Sequence, residues 1–131
     1  MTLNQIMLAL ANIKDGQLVK VHYRTIKGDY TKETEGVYRF VQYDHIANVQ
    51  AKGKANPNEK HITTALIYNA KNDSYYLQLA TANTPYKAKV KYYYQGNQID
   101  KATYDLANPT KARTTPLVIF RKNINDIISI G

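Results

Sequence analysis

The chain has no cysteine, so it can form no disulfide, no thiolate metal site and no cysteine nucleophile, a pattern that fits the cytosol. Tryptophan is absent too. The two serines, Ser74 and Ser129, lie outside any Gly-x-Ser-x-Gly elbow. The six glycines are scattered singly, which excludes the Gly-x-Gly-x-x-Gly fingerprint and the P-loop. No apolar run approaches the roughly 18 residues that span a bilayer. The opening residues carry neither the basic flank nor the cleavage site of a signal peptide, so the expectation is a soluble cytoplasmic protein with no membrane contact. His22, His45 and His61 are far apart and have no i, i+4 partner, which argues against a metal site. Asp44 and His45 are neighbours in a turn, where such residues cap the backbone instead of forming an acid–base pair. Glu33 and Glu35 follow Lys32 on a polar arm and read as solvated charge. From these absences we expect no catalytic residue, no metal and no cofactor.

Positive charge and tyrosine stand against these absences. The 131 residues include 18 Lys and Arg against 10 Asp and Glu, a net charge of +8. This excess attracts polyanions at long range without specifying a fold. Twelve tyrosines accompany only two phenylalanines. Tyrosine has high β propensity, and its ring also serves contact surfaces well. The length is that of one domain, spanning residues 1–131, large enough for a core without disulfides.

Apolar residues recur at helical spacing over residues 3–13, with Thr2 as the N-cap and Gln5 three residues on, and Gly16 is the expected stop. Alternation then predicts strands over residues 17–26, 36–43, 62–69, 74–80, 86–95, 116–121 and 126–130. A turn at Lys27-Gly28-Asp29 leads into a polar, threonine-rich arm before the second strand. Residues 52–60 form the longest expected loop, and Gly96-Asn97 closes the fifth strand. Asp100 caps a short inserted helix over 100–107, which Asn108-Pro109 stops. The expected class is mainly β (α+β), a small SH3-, Sm- or OB-like barrel with an N-terminal helix; a sandwich is the alternative.

Within 86–95, alternation places Lys87, Lys89, Lys91 and Tyr93 on one face and Tyr86, Ala88, Val90, Tyr92 and Tyr94 on the other. A cationic row ending in an aromatic suits single-stranded nucleic acid, and it equally describes an ordinary solvated face. Lys20, His22 and Arg24 form a similar row on the first strand. With Arg113, Arg121 and Lys122 near the C-terminus, these residues would make a basic groove if their strands adjoin. The candidate nucleic-acid-binding set is therefore Lys20, Arg24, Lys87, Lys89, Lys91, Tyr93, Arg113, Arg121 and Lys122.

The segment from Ile6 to Gly28, ending Val-Lys-Val-His-Tyr-Arg-Thr-Ile-Lys-Gly, resembles the opening of WYL-type Sm/SH3-like modules, in which a helix leads into an apolar-x-apolar-x-Tyr strand and a glycine turn. Phe120-Arg121 and Ile127-Ile128 resemble that fold's closing strands, and Tyr75-Tyr76-Leu77 stands in for the Trp-Tyr-Leu triplet that names the family. The run from Tyr92 to Tyr104 is similar to a strand-turn-helix phrase of small phage and mobile-element proteins of low-GC bacteria. These resemblances imply a small barrel in a phage or plasmid setting, within a bacterial host cell or associated with a virion, and they transfer no catalytic residue. The functional expectation is a non-enzymatic barrel binding nucleic acid, single-stranded DNA among the candidates. The alternative is a phage accessory or structural protein whose tyrosine-rich surface meets a host or virion protein or a second copy of itself.

Overall fold

The computed structural model describes residues 1–41, 49–50, 64–82, 87–110 and 119–131. Helix α1 (Leu3–Ala11) begins at a capping box. The Gln5 amide donates to Thr2 Oγ1 at 3.2 Å and the Thr2 amide donates to Gln5 Oε1 at 2.9 Å. Ile6 and Leu10, one turn apart, are fully buried. The helix stops earlier than the expected residue 13, at Asn12, where the Asn12 amide donates to the Ala9 carbonyl at 3.3 Å and the Ile13 amide to the Leu10 carbonyl at 3.2 Å. Among the described residues, no helix is long and apolar enough to cross a membrane.

Strands β1 (Leu18–Lys27) and β2 (Tyr30–Arg39) form a hairpin paired without interruption from Lys27↔Tyr30 to Leu18↔Arg39. Gly28, at φ 59°, supplies the left-handed residue of its two-residue turn. The second strand thus begins at Tyr30, not at 36, and the threonine-rich arm is its first half. Thr31, Glu33 and Glu35 look like loop in the sequence because this half of β2 has an outer face of polar and charged side chains. Ladder hydrogen bonds to β1, invisible to local composition, hold it extended.

Strands β3 (Val49–Gln50) and β4 (Ala65–Asn69) pair in parallel, and β4 continues antiparallel to β5 (Ser74–Thr81). Strand β6 (Lys89–Tyr94) pairs with the first half of β2, while the last residues of β2, Tyr38 and Arg39, pair with β5. A short strand absent from the sequence reading, β7 (Asn97–Ile99), folds back on β6. The hairpin turn between them uses Gln95 at φ 47° followed by Gly96 at φ 82°. Glutamine seldom takes that conformation, so Gln-Gly gave no hairpin signal. Asp100 caps α2 (Lys101–Ala107), accepting from the Thr103 amide at 2.7 Å.

Strands β8 (Ile119–Asn123) and β9 (Ile127–Ile130), joined by the 3-10 turn Ile124–Asp126, close the described chain. β8 pairs with β5 and β9 with β1. The pairings therefore run in a circuit, β1 to β2 to β5 to β8 and through the turn to β9 and back to β1. The architecture is a mainly β sheet, curled as a half-barrel, with two helices. Its core sits under α1, where Val19, Val21, Leu66, Leu77, Leu79 and Ile127 are 0–2% exposed. The parts of the expected strands at 42–43, 62–63, 86 and 116–118, the loop at 52–60, and His45 and His61 lie outside the described residues.

Gly36 illustrates how closely the inner face is packed. A Cβ there would lie 2.7 Å from Tyr38 Oη and 3.0 Å from two carbons of its ring. That ring is pinned, because it stacks on Phe120 with centroids 4.0 Å apart and its hydroxyl lies 3.0 Å from that of Tyr23. Replacing a strand-interior glycine with alanine gains about 0.5–1 kcal/mol, but forcing a pinned ring aside costs about 1–3 kcal/mol. We therefore expect Gly36→Ala to lower the urea midpoint and weaken the tyrosine near-ultraviolet circular dichroism; an unchanged or higher midpoint would show that the ring yields freely.

Candidate functional site

Directly opposed residues of neighbouring strands share a sheet face. On β1, Val19, Val21, Tyr23 and Thr25 face inward, and Lys20, His22, Arg24 and Ile26 face outward. The register sets His22 opposite Glu35 and Arg24 opposite Glu33, and on the far side of β2 sets Glu35 opposite Lys89 and Glu33 opposite Lys91. The outer face is thus a ladder in which an acidic row on β2 separates two basic rows. This corrects the single basic groove expected from sequence, since β1 and β6 do not adjoin.

The glutamates engage β1. Lys20 Nζ lies 3.3 Å from Glu35 and His22 Nε2 lies 3.5 Å from Glu33, while Arg24 turns to Asp126 at 3.6 Å. Partly exposed pairs of this kind add little stability, but they occupy the carboxylates. Lys89 and Lys91 have no carboxylate within 4 Å among the described residues. Both are exposed, as is Lys87 just ahead of the strand, and Tyr93 stands half-buried on the same face as Lys89 and Lys91. Val90 and Tyr92 point inward as alternation requires, though they are half-buried, not fully so.

The remaining candidates disperse. Arg121 donates to Gln78 Oε1 at 2.8 Å on the outer side of the β5–β8 pair. Lys122 faces the opposite way: it follows Phe120 by two residues and shares that residue's inward face. Its Nζ donates to Thr25 Oγ1 at 3.1 Å and lies 5.5 Å from the centre of the Tyr23 ring. Alternation along β8 places these neighbouring residues on opposite faces, so they cannot line one groove together. Arg113 lies outside the described residues.

Sequence reasoning missed the inner face beyond the core. There Tyr23, Tyr38 and Phe120 form a layer with centroids 4.0–6.5 Å apart. Next to it come Thr25, Lys32, Thr34 and Lys122, and then Tyr30, Tyr92 and Tyr94, with Tyr104 of α2 packed 4.9 Å from Tyr92 and 6.1 Å from Tyr30. Period-two spacing of Tyr30, Lys32, Thr34, Gly36 and Tyr38 was the available signal, hidden by reading 30–35 as loop. Burial, with Lys32 nearby adding repulsion, pushes the Lys122 ammonium below the ordinary lysine value, and Asp126 opposes the shift. Among the described residues no three His, Asp or Glu side chains are grouped to hold a metal ion.

Burial, and secondarily the hydrogen bond and charge of Tyr23, hold the Tyr38 proton well above the ordinary tyrosine value. The folded chain therefore keeps a proton that the unfolded chain releases above about pH 10. This contribution to stability is fully present below that pH and is lost as the pH rises further. In melts from pH 8 to 11, Tyr38→Phe is expected to decline less steeply at the alkaline end than the parent. Parallel declines would assign the alkaline loss to other groups.

Fold and faces together define a curled β protein that presents a free lysine row on one side and a lysine- and tyrosine-lined surface on the other. Comparison of the chain with protein-family models, with curated proteins and with solved structures finds no match.

Proposed function

We propose that the chain is a non-enzymatic nucleic-acid-binding module on a small barrel of the SH3, Sm or OB kind, acting in a phage or plasmid setting inside a bacterial cell. It grips successive phosphates of a single strand with Lys87, Lys89 and Lys91 and stacks a base on Tyr93. The observation that carries this reading is the set of exposed lysines on β6. Lys89 and Lys91 have no carboxylate partner among the described residues and share a face with an aromatic ring. Lysines two positions apart on a strand recur about every 6.8 Å, which suits an extended backbone. The pairing circuit through β8 and β9 supports the barrel assignment.

The test is fluorescence anisotropy with single- and double-stranded oligonucleotides across a salt series. Binding that is tighter for single strands and weakens steeply with salt is expected. Absence of binding at low salt, where the attraction is strongest, would overturn the reading and leave the tyrosine-rich surface as an interface for a host or virion protein or a second copy of the chain.

A further inference from the structure

We propose that the inner face carries a separate oxyanion site of the phosphate type, formed by the ammonium groups of Lys32 and Lys122 and the hydroxyls of Thr25 and Thr34. Thr25 and Lys32 are directly opposed across β1 and β2, and Thr34 is the next inward residue of β2. Lys122 reaches the same place from β8 and is anchored there by Thr25 at 3.1 Å. That bond uses one of its three donors and leaves two.

Three features of this cluster point to a ligand. First, Lys32, opposite Thr25, and Lys122, bonded to Thr25, place two like charges on one half-buried face, and neither has a carboxylate within 4 Å among the described residues. The nearby carboxylate, Asp126, is engaged by Arg24 at 3.6 Å. Second, Thr34 is 7% exposed and its Oγ1 is buried without a hydrogen-bond partner among the described residues. A buried hydroxyl left unpaired is costly and uncommon. Third, β8 interposes a lysine between the aromatic layer and solvent, two residues from Phe120, where an apolar residue would extend the core. A tetrahedral oxyanion of charge near −2 with several acceptor oxygens answers all three, since it neutralises two cations and accepts from both hydroxyls. The sheet separates this place from Lys89 and Lys91, so the site stands or falls independently of the nucleic-acid reading.

The experiment titrates inorganic phosphate into the whole chain, following the melting temperature and amide chemical shifts, with sodium chloride of matched ionic strength as the control. Saturable stabilisation by phosphate is expected, with shift changes at Lys32, Thr34 and Lys122. Lys32→Met, which removes no hydrogen bond seen in the structure, is expected to weaken phosphate binding about tenfold or more, as is Lys122→Met. Thr34→Val is expected to melt at the same or a higher temperature without phosphate and yet bind phosphate more weakly. A merely structural hydroxyl would not give that combination. Phosphate acting no differently from chloride, or Lys32→Met binding phosphate as the parent does, would overturn the proposal. A competition arm distinguishes the ligand's source. Displacement of phosphate by a 5′-phosphorylated oligonucleotide, and not by its unphosphorylated twin, assigns a nucleic-acid end, whereas phosphate binding that neither displaces assigns a small phosphate compound.

Discussion

Replacing Lys87, Lys89 and Lys91 together with glutamine is expected to remove most single-strand binding at moderate salt and to flatten its salt dependence. Each phosphate contact to a single strand contributes about 0.7 to the slope of log affinity against log salt, so three lost contacts reduce it by about 2. Folding should survive, because Lys89 and Lys91 make no ion pair among the described residues and exposed lysines add little to stability. The acidic row offers the converse change. Glu33→Gln with Glu35→Gln removes the negative charge beside the lysines and is expected to tighten binding. It sacrifices only partly exposed contacts to His22 and Lys20. Tyr93→Ala should weaken single-strand binding more than duplex binding, as stacking contributes about 1–3 kcal/mol per unpaired base. A triple-glutamine variant with parental affinity and slope would move the site elsewhere, and a tightened triple variant would exclude phosphate contact on β6 altogether.

The largest loss of stability is expected from Phe120→Ala. Phe120 is 9% exposed, stacks on Tyr38 with an interplanar angle of 23°, and lies 5.0 Å from Tyr23. It also joins β8 to β5 opposite Leu79, at the step that links the two ends of the sheet. Removing a buried phenylalanine side chain costs about 3–5 kcal/mol through lost transfer energy and the cavity left behind. Here the cavity would open beside the paired hydroxyls of Tyr23 and Tyr38 and admit water to them. Out of a typical total of about 5–15 kcal/mol, this is enough to lower the melting temperature by roughly 10–20 °C. Phe120→Leu keeps most of the volume and should lose much less. Equal losses for the two variants would assign the effect to aromatic stacking instead of the cavity.

The sequence by itself determined what depends on near neighbours along the chain. Thr2 and Gln5 announced the capping box, Asp100 announced the second helix, and alternation in β1 and β6 assigned each side chain to one of two faces. These features are legible because caps and pleats are set by residues a few positions apart. Only the tertiary structure decided which strand lies beside which. Alternation grouped Lys20, His22 and Arg24 with one another, and Lys89 with Lys91, but gave no hint that β2 would enter between the two rows with Glu33 and Glu35. Pairing is a contact between residues distant in sequence, and it turned an apparent basic groove into a charge ladder. The same long-range pairing made a strand of the segment at 30–35, which local composition marks as loop. It also brought Lys122 of β8 to Thr25 of β1, 97 residues apart, and so assembled the inner cluster whose members carry no signal when read one at a time.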